Sequence, residues 1–145
     1  MMEEIKARAK RKDNGEWVFG YFYKKALPLQ CIKTKDDSNK EEECFIIFSG
    51  FADWNMPRPI YQVEVIPETV GRWTGLKDKY GKEIYEDDIV KKTSVSIGGI
   101  DFMGAVKYSE CAYWIGSDGD AIRLWSEIDE LEVTGSIYIG SQLIN

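Results

Sequence analysis

The chain has 145 residues, the length of one ordinary domain, with 43% hydrophobic and 13% aromatic residues and only four prolines. That composition can fill a core and excludes an intrinsically disordered chain. The net charge of −6 disfavours general nucleic-acid binding, which needs a basic surface, and the absence of histidine excludes Ser-His-Asp and Cys-His catalysis and His-ligated zinc.

Residues 5–23 predict an opening hairpin. Its turn is Asp13-Asn14-Gly15, where Asn and Gly tolerate positive φ. The first arm carries the basic cluster Lys6, Arg8, Lys10, Arg11 and Lys12, within a stretch of 40 residues that holds ten Lys/Arg against six Asp/Glu. The simplest reading of that cluster is a solvated strand and turn. The second arm, Trp17 to Tyr23, is almost wholly apolar, so it is expected to be buried on both faces or to lie at an interface. Lys33 to Glu43 holds only one kind of signal, polar and charged residues, and reads as a loop or hairpin tip.

Cys44 to Phe48 is the next buried strand, ended by Ser49-Gly50. Asp53 to Pro59 contains two prolines and is expected to be irregular, with Trp54 and Arg58 at its surface. Tyr61, Val63 and Val65 alternate with polar residues, the spacing of a half-buried strand, and the sheet resumes after Pro67 at Val70 to Trp73. Ile84 to Val90 becomes strand-like at its end. Gly104–Tyr108, Ala112–Ile115, Ala121–Trp125 and Val133–Tyr138 supply four more strands, with a helical turn starting at Ser126. Many short strands with frequent turns predict a single all-β domain over residues 1–145, a small barrel or roll rather than a βαβ fold.

The most distinctive stretch runs from Thr74 through Gly75, Asp78, Gly81, Glu83, Glu86, Asp87 and Asp88 to Val90. Asp78 to Gly81 has the form of a tight turn, Asp first and Gly last, and Asp88 can accept backbone N–H groups where the chain re-enters the sheet. This stretch resembles the central motif of the YopX family of bacteriophage and prophage proteins. Val65 to Gly71, Glu132 to Tyr138 and Ile5 to Ala9 resemble that family as well, so the likeness spans nearly the whole chain. The resemblance implies a β-roll or SH3-like barrel with additional N-terminal strands and an origin in a phage or integrated element. It assigns no catalytic residue. Asp87 stands where the family usually has Gly, and Gly140-Ser141 replaces an Asn-Pro pair; Asp is among the few residues that tolerate a left-handed backbone.

Little chemistry is legible. Neither a phosphate-binding Gly-rich fingerprint nor a metal-spaced cysteine pair occurs; Cys31, Cys44 and Cys111 read as reduced, inert thiols, which fits a cytoplasmic protein. No signal peptide or membrane-length apolar run is seen. Glu83, Glu86, Asp87 and Asp88 could in principle bind a hard cation or work as paired acids, but turn-capping on a solvated face is preferred. Asp118-Gly119-Asp120 is read as a turn rather than a calcium loop. No cofactor is expected. The favoured function is a non-catalytic module that binds itself or a host or phage protein, with Trp54 and Arg58 as contacts. The alternative is a nucleic-acid-binding barrel that uses Lys10, Arg11 and Lys12 beside Trp17, Tyr21 and Tyr23.

Overall fold

In the computed structural model, which describes residues 4–25, 43–50, 53–126 and 129–140, Asp13-Asn14-Gly15 reverses the chain between β1 (Ala7–Lys10) and β2 (Trp17–Lys24). Gly15 sits at φ 71° and its N–H closes onto the Arg11 carbonyl at 3.0 Å. Asn14 Oδ1 accepts the Glu16 N–H at 2.9 Å, the local bond that makes Asn a turn residue. The predicted loop at 33–43 lies outside the described residues except for Glu43. Beyond it β3 (Cys44–Ser49) and β4 (Ile60–Val65) continue an antiparallel meander. A 3-10 turn, Pro67–Thr69, follows β4; it was not foreseen, although proline at its first position suits a helix start.

The chain divides into two compact units, Met1–Val70 and Gly71–Asn145. In the first, alternation decides what is inside. Ala7, Ala9, Val18, Cys44, Ile46 and Val65 form its buried core, with Phe48 and Val70 packed against them. The end of β1 is drawn across to β4: Arg11 bridges Val65, Ile66 N–H donates to the Lys10 carbonyl, and Lys12 N–H to that of Glu64. The other side of β2 is not buried within the chain, so of the two readings of the apolar run, burial on both faces does not hold. Phe19, Tyr21 and Tyr23 remain 49%, 53% and 46% exposed. Gly20 marks where β2 leaves its pairing with β1 and takes up β3; a side chain there would run into the Ile47 carbonyl.

The second unit begins with a hairpin of β5 (Gly71–Lys77) and β6 (Glu83–Tyr85). Five further strands, β7 (Asp88–Thr93), β8 (Phe102–Ser109), β9 (Ala112–Ser117), β10 (Asp120–Arg123) and β11 (Glu130–Ser136), form one antiparallel sheet in the order β10-β9-β8-β7-β11. Glu110 and Cys111 at φ 51° and 58°, then Asp118 and Gly119 at 46° and 94°, make the two tight hairpin turns. Asp118-Gly119 is therefore a turn, as its sequence suggests. Ile84, Val90, Val106, Ile115 and Leu124 are wholly buried and form the core.

The all-β class follows the sequence reading, with ladders that are antiparallel throughout. Among the described residues no ladder joins β10 to β11, so closure into the SH3-like barrel implied by the resemblance is not part of this sheet. Two strands stop short of their expected ends. The strand read through Tyr138 stops at Ser136 and passes into one helical turn, Ile137–Gly140. There Ile137 N–H donates to the Asp87 carbonyl at 3.0 Å, away from any ladder. The strand read over Ala121–Trp125 stops at Arg123. Asp129 N–H lies 3.4 Å from Ser126 Oγ, the geometry of the expected cap, while residues 127 and 128 lie outside the described set.

Candidate functional site

The residues singled out between Thr74 and Val90 are held by bonds within their own unit. Thr74 Oγ1 donates to the Ile84 carbonyl at 2.8 Å and accepts the Leu76 N–H at 3.2 Å. Gly75 and Gly81 occupy φ 83° and 82°. Asp78 is buried and is the hub: its Oδ1 accepts from Tyr80 and Lys82 N–H, each at 2.9 Å, and its Oδ2 from Val133 N–H at 3.1 Å. Lys79 N–H donates to the Leu131 carbonyl at 2.9 Å. The turn thereby occupies the side of β11 that faces away from β7. Burial pushes the Asp78 carboxyl up, but the backbone N–H groups of Val133, Lys82 and Tyr80 outweigh it and hold it below the ordinary Asp range.

The four neighbouring carboxylates are separated rather than gathered. Glu83 accepts the Tyr85 hydroxyl at 2.8 Å, and Asp88, almost fully buried, accepts the Tyr85 N–H at 2.8 Å. Glu86 is held bidentately by the Arg72 guanidinium at 3.0 and 3.1 Å and also takes the Arg72 N–H. This hydrogen bonding raises the Arg72 pKa, and its guanidinium also lies 4.0 Å over the Tyr108 ring. Asp87 takes Lys107 Nζ at 2.9 Å and the Tyr138 hydroxyl at 3.0 Å. Among the described residues no group of three or more Cys, Asp or Glu is placed to hold a metal ion. Their arrangement supports turns and strand ends.

Asp87 has φ 66°, the left-handed conformation that glycine adopts most cheaply. Asp87→Gly relieves that strain but gives up the Lys107 and Tyr138 contacts, and an exposed lysine pair is worth little. The expected net change is below about 1 kcal/mol, whereas Asp87→Ala loses the contacts and keeps the strain. Thermal melts should therefore place Ala clearly below Gly. Equal melting temperatures would mean that the backbone conformation at 87 carries no cost.

The cations nominated for nucleic acid are likewise engaged. Lys10 is buried at 8% exposure, with its ammonium 5.5 Å from the Trp17 ring, and Arg8 stacks on the same ring at 4.4 Å. Arg11 is paired to Asp13 at 2.6 Å and Lys12 to Glu64 at 3.0 Å. The pairing register Lys10↔Trp17 and Arg8↔Phe19 puts these side chains on the aromatic side of β2. Nothing in the local sequence announces that register. Trp54 and Arg58 are exposed, Trp54 at 97%, in the irregular segment between β3 and β4.

What the unit does present is a face. Cross-strand partners share a side of a sheet, so Tyr21↔Ile47 and Tyr23↔Phe45, followed by Ile47↔Gln62, Phe45↔Glu64 and Ser49↔Ile60, lie on the side opposite the core. Tyr21, Tyr23 and Ile60 are exposed, Phe45 and Ile47 half-buried, and the Tyr23 and Phe45 rings lie 6.3 Å apart. Phe19 continues the row across Gly20. The alternation in Trp17, Phe19, Tyr21, Tyr23 was the available sequence signal; which side was core depended on the pairing.

A family model described as YopX protein matches residues 6–145. No curated protein and no solved structure matches the chain.

Proposed function

The chain belongs to the YopX family, and on that footing we propose that it is a non-catalytic protein-interaction module, an accessory protein of a bacteriophage or prophage that acts in the cytoplasm of the bacterial host. The carrying observation is the division of labour among its side chains. The polar residues of the motif are committed to holding turns, while tyrosines, isoleucine and tryptophan lie outside on β2, β4 and the segment that joins β3 to β4. Contiguous exposed apolar surface of this kind marks contact sites, and loop Trp and Arg are enriched among the residues that dominate binding. The exposed Cys111 and buried Cys44 are free thiols, which suits a reducing compartment. Among the described residues no helix is long and apolar enough to cross a membrane.

The test is affinity capture of the tagged chain from a bacterial host, with and without nuclease, beside a Trp54→Ala variant. A residue so exposed contributes within about 0.5 kcal/mol to stability, so the variant should melt with the parent. Partners that survive nuclease and are lost with Trp54→Ala are expected. Partners that vanish with nuclease would instead favour the nucleic-acid-binding reading, and none at all under either condition would count against both.

A further inference from the structure

Elsewhere in the first unit basic side chains are engaged: Arg11, Lys12 and Lys25 with carboxylates, Arg8 and Lys10 over the Trp17 ring. The segment between β3 and β4 is different. Every residue from 53 to 62 is exposed, with Trp54, Met56 and Ile60 at 97%, 64% and 75%. Among the described residues Arg58 has no ion pair. The backbone is nonetheless held. Met56 N–H donates to the Asp53 carbonyl at 3.0 Å, closing a turn that carries Trp54. At the far end Gly50 N–H donates to the Pro59 carbonyl at 2.8 Å, and Ser49 pairs with Ile60. The Tyr61 ring lies so close over Gly50 that a side chain there would strike it, and it packs on Phe48 at 5.7 Å between centroids. In between, Pro57 and Pro59 fix their own φ and turn Met56 and Arg58 toward extended backbone.

This backbone narrows what can dock on it. Pro57 and Pro59 have no N–H and the Pro59 carbonyl is already taken, so an incoming strand finds no ladder to join. A stiff, extended, proline-bearing segment instead has the shape that grooves lined by aromatic side chains accept. An exposed indole gains most in an apolar pocket, and a guanidinium beside it gains most from a carboxylate. Nucleic acid and anionic lipid fit less well: Asp53 and the chain's net charge of −6 repel phosphate, and Arg58 alone is a weak hold on either.

We propose that residues 53–60 are a preformed ligand for a partner protein, docking in an aromatic-lined groove that takes the Trp54 indole and sets a carboxylate against Arg58. This rests on the interaction-module reading and names the partner's chemistry. Because the turn and the prolines are in place before contact, association orders little backbone, and the affinity concentrates in Trp54 and Arg58.

The experiment places a photoreactive benzoylphenylalanine at Met56 of the full tagged chain and irradiates it in nuclease-treated lysate of the bacterial host. Mass spectrometry then maps the joined peptides; the same group at Asn55 serves if the first variant melts below the parent. Capture alone does not support the proposal. The joined partner segment is expected to hold aromatic side chains together with Asp or Glu. Against that partner, once purified, Trp54→Ala should weaken binding about thirtyfold. Arg58→Glu should weaken it at least as much, while Arg58→Lys keeps the charge and loses less. Both positions are exposed, so the three variants should melt with the parent. A crosslink to nucleic acid or phospholipid, a joined segment with neither aromatic nor acidic residues, or equal losses for Arg58→Lys and Arg58→Glu overturns the proposal. A nuclease-resistant partner that joins at neither position and ignores Trp54→Ala and Arg58→Glu would leave the interaction module standing without this segment. No protein partner in any arm would remove both.

Discussion

Replacing Asp78 by Ala should destabilise the protein by about 3 kcal/mol, because one carboxylate serves three backbone donors and bonds to a charged acceptor are individually worth about 1.5–3 kcal/mol. The full sum is not expected. Tyr80 and Lys82 are exposed, so their N–H groups can turn to water, whereas the half-buried Val133 N–H is harder to satisfy. Asp78→Asn should fall between: its amide oxygen can serve two donors, but its NH₂ then meets the third. Urea unfolding would measure this as a lower midpoint at unchanged slope; a change of less than about 1 kcal/mol for Ala would show that the turn is held by other means. The pH dependence follows the same carboxylate. Its pKa is lowered in the folded chain, so its contribution is complete above the unfolded Asp value of about 3.9 and is lost as pH falls through the lower folded value. The parent should lose stability more steeply than Asp78→Asn as the solution is acidified past that range.

Ile115→Ala should cost about 3–4 kcal/mol, within the 2–5 found for emptying a fully buried branched site. Ile115 has no exposed surface and stands on β9, an interior strand of the five-stranded sheet, among Ile84, Val90, Val106 and Leu124. Three of those neighbours stand on paired strands, and Leu124, just after β10, is tied to β9 by its N–H on the Tyr113 carbonyl, so they cannot easily close over the void. Ile115→Val, which removes a single methyl group, should cost about 1 kcal/mol. Denaturant midpoints for the pair give the comparison. Near-equal losses for Val and Ala would mean that the core relaxes around the vacancy.

Local chemistry was legible wherever a short stretch decides its own conformation. The Asp13-Asn14-Gly15 turn, the Asp78-to-Gly81 turn and the irregular Asp53-to-Pro59 segment depend on residues whose φ preferences act within four positions. The left-handed Asp87 was visible too, once its place in the family motif was seen. What failed to show is pairing. Whether Phe19 and Tyr21 or Val18 and Phe22 face the core is fixed by the registers with β1 and β3, and the alternation is equally apolar on both sides. For the same reason Arg8 and Lys10 read as solvated, although their cross-strand neighbours Phe19 and Trp17 place them against an indole. The break between β6 and β7 was also hidden. Ile84 to Val90 reads as strand-like only at its end, whereas Glu83–Tyr85 is a strand of its own and the Asp87 N–H between the two donates to the Val106 carbonyl, a partner about 20 residues along the chain.

The outer side of β11 has a bearing on how this chain can grow with its fellows. A bare strand at the margin of a sheet offers a template on which another chain, and then another, can add without end, giving a filament. Here the Val133 donor and the Leu131 acceptor are already claimed by the Asp78-Lys79 turn, and Lys79 adds an ion pair to Glu132 at 3.4 Å. The hairpin tip acts as a stopper at one end of the sheet. An incoming strand would first have to dislodge it, so growth from that margin is checked by the fold of each molecule before any second molecule arrives.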